Sequence, residues 1–562
     1  MADAAQPKPG PDDPAAAAPS GAAPAHDMPP RAGAAAPEGQ PRRDGWPASP
    51  VIYEIYPRSF YDSTGSGEGD LRGVTARLGH VASLGVDAIW LAPFYLSPMH
   101  DGGYDVQDHA AINPRFGTMA DFDALIARAH ELGLKVMIDQ VLNHTSHRHP
   151  WFAASVERRG GYDDWYVWHD PKPDGTPPNN WLSQFGPPAW TWNHVRRQYY
   201  FHQFLDLQPN LNLRHPAVLE AQRAHLRAWR DRGVDGFRFD AITSYLWDES
   251  FADNPPASPE VAARIAGPSF NPYTMQDHEH DMLPGDGTEF AGTVREWSGP
   301  DMFLLGEVTS GNRSVELANG LCGPDGLDAA YTVDLTERGL TPAVVADVLS
   351  RLETPGTLAW WLTSHDSPRA VSKMGDGSER DARLLALLLA ALPGPWLIYQ
   401  GEEIGLPQPY LDFHETTDPF DRMYWPSPPG REGPRVPIPW AEGYVGFGFT
   451  SGTPWLPMRW DAGASVAMAE ACAESVLHFH RRLIDLRRTR GFGAGTAASV
   501  KAEGHALRLT VEAPSGRFAS AFNLAPDGPP LAGGLPEGDP LIASSPLEDG
   551  ALPPRTGAIW AL

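Results

Sequence analysis

Cysteine is nearly absent from this chain: Cys322 and Cys472 are the two in 562 residues. Two thiols make no disulfide framework, and without a Cys-x-x-Cys pair there is no signature of structural zinc or dithiol redox chemistry. The expectation is two free, buried thiols in a reducing compartment. Basic charge is also short, with 44 Lys and Arg against 70 Asp and Glu and a net charge of −26. Such a surface repels phosphate backbones and anionic membranes, so a neutral substrate fits better than nucleic acid. Nowhere do 18 apolar residues run together, which excludes a spanning helix. Residues 1–45 lack Val, Ile, Leu and aromatics, and no basic stretch leads into an apolar one. That composition reads as a disordered Ala/Pro/Gly-rich tail over 1–46, not a secretory signal, and makes the cytoplasm the default location.

What the chain does have is a rhythm. Short apolar runs recur, among them "VIYEIYP", "AIWLAP", "VMID", "GFRFD", "FLLGE", "AAYTVD", "LAWWLTSHD" and "WLIYQGEE". Runs buried on both faces and separated by helical patterns indicate a parallel sheet. "TMADFDALIARAHELGLK" is one such helix, with Thr118 and Asp121 as start signals and Gly133 as its stop. Eight strand–helix units make the fold class α/β, a (β/α)8 barrel over 47–144 and 216–490. Residues 145–215, rich in Trp, Tyr, Pro and Asn, are too long for a plain loop and read as an inserted domain after strand three. After the amphipathic "SVLHFHRRLIDLRR", short alternating runs from 491 to 562 read as a C-terminal antiparallel β domain.

Charged residues gather at the C-terminal ends of the predicted strands: Asp139, Arg238 with Asp240, Glu307, and His365 with Asp366. In a barrel those ends converge on the face where active sites are built. Three carboxylates with no Cys/His cage point to glycosidic bond chemistry, in which one carboxylate attacks and a second carboxylic acid protonates the leaving oxygen. Arg238 and Asp240 are two residues apart, so on a strand both side chains leave the same face. The Arg would hold the attacking Asp ionised, and Glu307 closes a Gly-Glu strand end as the natural acid/base.

These residues resemble the α-amylase superfamily of retaining α-glycoside hydrolases (glycoside hydrolase family 13), in its oligo-1,6-glucosidase/α-glucosidase branch. The motifs "GVDAIWLAP", "DQVLNH", "QPNLN", "GFRFDA", "GEV" and "SHD" stand in the family's order between about Pro50 and Arg490. The resemblance implies Asp240 as nucleophile, Glu307 as acid/base and Asp366 as transition-state stabiliser. It also implies that Asp105, His144, Arg238 and His365 hold the sugar, with Arg435 beside them and Arg431 as a competitor for that role. Tyr104 would stack on the ring, while Phe185, joined by Phe152, would narrow the entrance. In the resembled branch a Val after the nucleophile accompanies α-1,6 preference; Ala241 stands here, so α-1,4 bonds are expected.

The loop Asp62–Asp70, "DSTGSGEGD", is similar to a Ca2+- or Mg2+-binding loop of related enzymes. Thr64 and Ser66 replace its middle ligands, leaving Asp62, Asp70 and the Glu68 carbonyl. Two strong ligands make a poor cage for a hard cation, so no cofactor is expected to be required. "MQDHEHD", at Met275–Asp281, reads as a solvated loop near the site's rim. The expected partner is a small α-glucoside or oligosaccharide, and the oligomeric state is left open. The function implied is hydrolysis of terminal α-1,4-linked glucose through a covalent glucosyl-enzyme, with transglucosylation open to it. The alternatives are a glucosyl transferase or isomerase such as trehalose synthase, sucrose isomerase or sucrose hydrolase, and a non-catalytic transporter heavy-chain-like subunit.

Overall fold

The structure is a computed structural model that describes residues 45–262, 271–282, 284–309 and 313–562. The N-terminal tail read from the sequence lies, up to residue 44, outside the described residues. Seven parallel strands form one sheet in the spatial order Ala329–Thr332, Phe303–Val308, Gly236–Phe239, Lys135–Gln140, Ala88–Leu91, Val51–Ile55 and Trp396–Tyr399. The run "LAWWLTSHD" closes the barrel without forming a regular strand. It bridges the two edge strands only at Leu358 with Ala330 and at Trp360 with Trp396. The Trp361 indole N–H donates to the Thr332 carbonyl at 2.8 Å, and the chain then turns into the loop that carries His365 and Asp366. The architecture is therefore the (β/α)8 barrel with one stave reduced to single bridges.

Strand alternation decides what faces the barrel axis. Ile52, Ala88, Trp90, Met137, Leu305 and Tyr331 pack together inside, whereas Phe237 and Phe239 join the larger core under the helices. Arg238 thus projects inward between two outward phenylalanines. The outer helices follow local signals. Met119–Glu131 begins with a complete capping box between Thr118 and Asp121, a device worth about 1 kcal/mol. Its apolar face buries Phe122, Leu125, Ile126 and Ala129, and Gly133 ends it at φ +73°. Substituting Phe122, which stacks on Phe94 at 5.0 Å, would open the seam between helix and barrel.

Between Thr145 and His215 lie a helix, Pro150–Val156, and a three-stranded antiparallel sheet of Trp168–His169, Gln198–Phe201 and Trp190–Asn193. Aromatic contacts replace a large aliphatic core here: Phe152 meets Tyr166, Trp168 and Tyr200 at 5.0–5.6 Å. After the helix Val476–Arg490, capped by Gly491 at φ +72°, a five-stranded antiparallel sheet completes the chain. No helix among the described residues is long and apolar enough to cross a membrane. Both cysteines are unpaired, but Cys472 is exposed and not buried as the sequence suggests, because it caps a short surface helix.

Candidate active site

The inward guanidinium of Arg238 organises the barrel mouth. It is 1% exposed, and a buried cation needs carboxylates around it. Its Nη1 donates to Asp240 Oδ1 at 2.8 Å and also to Asp139, while Nη2 pairs with Glu307. The Tyr331 hydroxyl accepts from Nε at 3.1 Å and from Nη2 at 2.7 Å. Asp139 is locked on its other oxygen by the Trp90 indole at 2.8 Å and the Tyr104 hydroxyl at 3.1 Å, which makes it a fixed counterion. Asp240 and Glu307 therefore share one cation with a third carboxylate. Burial pushes the Asp240 carboxyl well up; Arg238 opposes this, and the charges of Glu307 and Asp139 add to it.

The chain path fixes this geometry. The Asp240 N–H still donates to the Gln140 carbonyl at 3.1 Å, continuing the ladder. Ala241 then takes a left-handed conformation, φ +43° and ψ +44°, and its N–H donates to Glu307 Oε2 at 2.8 Å. That conformation costs an alanine about 1–2 kcal/mol. Ala241 itself is buried and does not line the cavity, so it meets the site through its hold on Glu307.

A second charge cluster surrounds Asp366. Its Oδ1 accepts from Arg431 Nη2 at 2.8 Å and Arg435 Nη2 at 2.5 Å, with His365 Nε2 3.5 Å from Oδ2. Burial opposes ionisation, but Arg431, His365 and Arg435 hold Asp366 well below the usual range. Behind it, His365 Nδ1 lies 2.5 Å from Glu54 Oε1. Burial would discharge the imidazole; Asp366 and Glu54 overrule it and push its pKa up to about 10. Across the same cavity His144 is the reverse case, lowered by burial to about 3 and so neutral. Gln208 Nε2 stands 3.1 Å from His144 Nε2 and donates to Asp101 Oδ2 at 3.0 Å, and Asp101 Oδ1 pairs with Arg431 at 3.2 Å.

Tyr104, His144, Phe185, Asp240, Glu307 and Asp366 line one cavity of about 400 Å³. Arg238, His365 and Arg435 stand behind that wall, each bonded to a lining carboxylate. Asp105 does not reach it. Its oxygens are taken by the Ser97 hydroxyl at 2.8 Å and the His100 and Asp101 amides at 3.0 and 3.3 Å, so it organises a turn. Asp101 lines the cavity instead, as does Arg431, the competitor to Arg435. Phe152 belongs to the aromatic core of the inserted segment, whereas Phe185 stacks on Phe420 at 4.8 Å beside the Arg431 guanidinium. Sequence reasoning missed Glu54, whose signal was a Glu inside a wholly apolar strand, and Gln208 within "QPNLN". The segment Met275–Asp281 is not simply solvated. His278 is buried, stacked on cavity-lining Tyr273 and bonded to Asp281 at 2.7 Å, because it caps the wall from behind.

The Asp62–Asp70 loop spends its carboxylates on hydrogen-bond donors. Asp62 Oδ1 accepts from the Thr64 and Gly65 amides and the Thr64 hydroxyl, and Oδ2 from the Gly67 amide and the Thr450 hydroxyl. These donors outweigh burial and hold its pKa below the usual value. Asp70 accepts from Ser63 and caps the next helix at Gly73, the Glu68 side chain pairs with Arg58 and Arg115, and the Ser66 hydroxyl bonds the Glu68 carbonyl. Donors converge where a cation would need lone pairs, so these residues do not fit a Ca2+ or Mg2+ cage.

Comparison with known proteins adds the following. A family model described as alpha amylase, catalytic domain, matches residues 54–492. A Rhizobium meliloti protein named "Probable alpha-glucosidase" is 47% identical over 461 residues, 80% of this chain and 83% of that one. An oligo-1,6-glucosidase of Heyndrickxia coagulans is 34% identical, covering 79% of this chain and 85% of its own. A crystal structure described as an alpha-glucosyl transfer enzyme superposes with a TM-score of 0.84 at 38% identity, covering 91% and 98%.

Proposed function

The chain belongs to the alpha-amylase catalytic-domain family, and from that premise we propose that it is a retaining α-glucosidase removing terminal α-1,4-linked glucose from short substrates. The observation that carries the reading is one buried Arg238 holding Asp240 and Glu307 side by side on the cavity wall. In the first step an Asp240 oxygen bonds to the anomeric carbon as the glycosidic C–O bond breaks, and Glu307 gives its proton to the departing oxygen. In the second, Glu307 takes a proton from water as that water's oxygen displaces Asp240, releasing glucose with its configuration retained. The ionised Asp366, bracketed by Arg431, Arg435 and charged His365, stabilises positive charge developing on the sugar ring.

Exo action is supported by the Asp101–Arg431 pair, which ties two loops together across the cavity wall, and by a volume at the small end of ligand pockets, about 300–1,000 Å³. The α-1,4 preference is carried over from the family resemblance, in which a residue smaller than Val follows the nucleophile; here Ala241 reaches the site through its amide on Glu307. An intracellular setting accords with unpaired thiols, one of them exposed. Incubation with maltose, isomaltose and sucrose, followed by proton NMR, tests the proposal. Maltose should be cleaved fastest and release the α-anomer of glucose first; initial β-glucose would overturn the mechanism. Glucosyl transfer is the second reading, favoured by the likeness to the alpha-glucosyl transfer enzyme. Accumulation of new disaccharides as the main product would establish it.

A further inference from the structure

Two charged residues of the cavity wall are not used by the chemistry above. Glu337 ends the short helix Asp334–Glu337 that follows the Ala329–Thr332 strand, and Lys373 ends the helix Ala370–Lys373 that follows the Asp366 loop. Both line the cavity, and Lys373 Nζ donates to Glu337 Oε1 at 3.1 Å. Their side chains are 29% and 28% exposed, so the pair is partly desolvated but reachable. The other charged lining groups are committed elsewhere: Asp240 and Glu307 to Arg238, and Asp101 and Asp366 to Arg431. Among the described residues, Glu337 and Lys373 make side-chain polar contacts only with each other. Further donors on Nζ and the second Glu337 oxygen therefore remain for a ligand.

We propose that the Glu337–Lys373 pair recognises the leaving group, selecting α-glucosides whose aglycone carries neighbouring hydroxyls, such as a second sugar ring. The inference rests on the α-glucosidase reading and names the substrate class of that site. A lysine donates to one hydroxyl while the glutamate accepts from the next, a match for a vicinal diol. The pair is neutral as a whole, so it offers no net attraction to an anionic or cationic aglycone. Phe185, Phe204, Phe420 and Trp361 of the same cavity supply apolar surface for the C–H face of a pyranose. A p-nitrophenyl aglycone can use those aromatics but has no hydroxyl to donate to Glu337, and its nitro oxygens are only weak acceptors for Lys373.

The test compares maltose with p-nitrophenyl α-glucoside in the full-length chain, for the wild type and for Lys373→Met, Glu337→Gln and Lys373→Arg. Hydrogen bonds to charged groups predict that kcat/KM for maltose in Lys373→Met and Glu337→Gln falls about 10- to 100-fold further than for the aryl glucoside. Lys373→Arg, which keeps the charge and donors, should recover most of the maltose activity. Equal losses on both substrates, or no loss on maltose, overturn the inference. A second variant guards against misfolding of the first, and the aryl activity reports the folded fraction. A wild-type chain that cleaves neither glucoside overturns the α-glucosidase reading, and this inference with it.

Discussion

Replacing Glu54 by Gln isolates the electrostatics behind Asp366. Glu54 is buried, and its Oε1 accepts from His365 Nδ1 at 2.5 Å and from the His365 amide at 3.3 Å. Glutamine keeps the shape and an acceptor oxygen but removes the charge. The folded His365 titrates near 10, against about 6.5 for an unperturbed imidazole. Its pKa is raised on folding, so its contribution of about 5 kcal/mol is fully present below pH 6.5 and is lost as pH rises through 10. Removing one adjacent charge takes away about 4 kcal/mol at an effective dielectric near 20, which returns the imidazole to about 7. The variant should therefore lose only about 1 kcal/mol over the same range. Urea unfolding followed by tryptophan fluorescence at pH 6, 8 and 10 reads this out. The stability difference between wild type and Glu54→Gln should shift by about 4 kcal/mol in the variant's favour from pH 6 to pH 10. Parallel curves for the two proteins would refute the reasoning; burial raises the Glu54 carboxyl itself, and its ionisation in the folded wild type tilts the difference the same way.

Four residues or loops give further expectations. Asp101→Ala should lower kcat/KM about 10- to 100-fold by removing a charged cavity contact, while Asp105→Ala should destabilise the fold by about 3 kcal/mol or more through three orphaned donors. Comparing activity per folded molecule separates the two. Ala241→Val should raise the ratio of isomaltose to maltose hydrolysis and cost about 1–3 kcal/mol, since a β-branched residue strains the left-handed backbone there; an unchanged ratio removes the linkage argument. Chelation with EDTA should leave Tm and activity unchanged, because the Asp62–Asp70 oxygens already accept hydrogen bonds. A stoichiometric Ca2+ or Mg2+ in the purified protein would contradict that.

The barrel was legible because its strands are buried on both faces and read as near-continuous apolar runs. "LAWWLTSHD" misled in one respect: its hydrophobicity serves burial at Trp360 and Trp361, not a hydrogen-bonded ladder. Arg238, Asp240 and Glu307 were legible because each stands at or beside a strand end, and the barrel brings such ends together; Asp366 follows the stave that forms no regular strand and was legible from its His-Asp motif. Asp101 was not. In "HDGGYDV", Gly102 and Gly103 both take positive φ, +57° and +113°, and the resulting tight turn sends Asp101 to the cavity and Asp105 into the turn. Nothing local distinguishes the two aspartates. Glu54 lies 311 residues from His365, so only the closed barrel brings them together. The contrast between Phe185 and Phe152 depends likewise on which side of the inserted segment faces the barrel.

In the proposed reaction Asp240 becomes covalently glucosylated while Glu307 handles the proton. Mass spectrometry of the chain quenched during turnover of a 5-fluoro-α-glucosyl fluoride tests it most directly. One added sugar on the peptide containing Asp240 is expected from the wild type and not from Asp240→Asn. An adduct on another carboxylate, or steady turnover by Asp240→Asn, would contradict it.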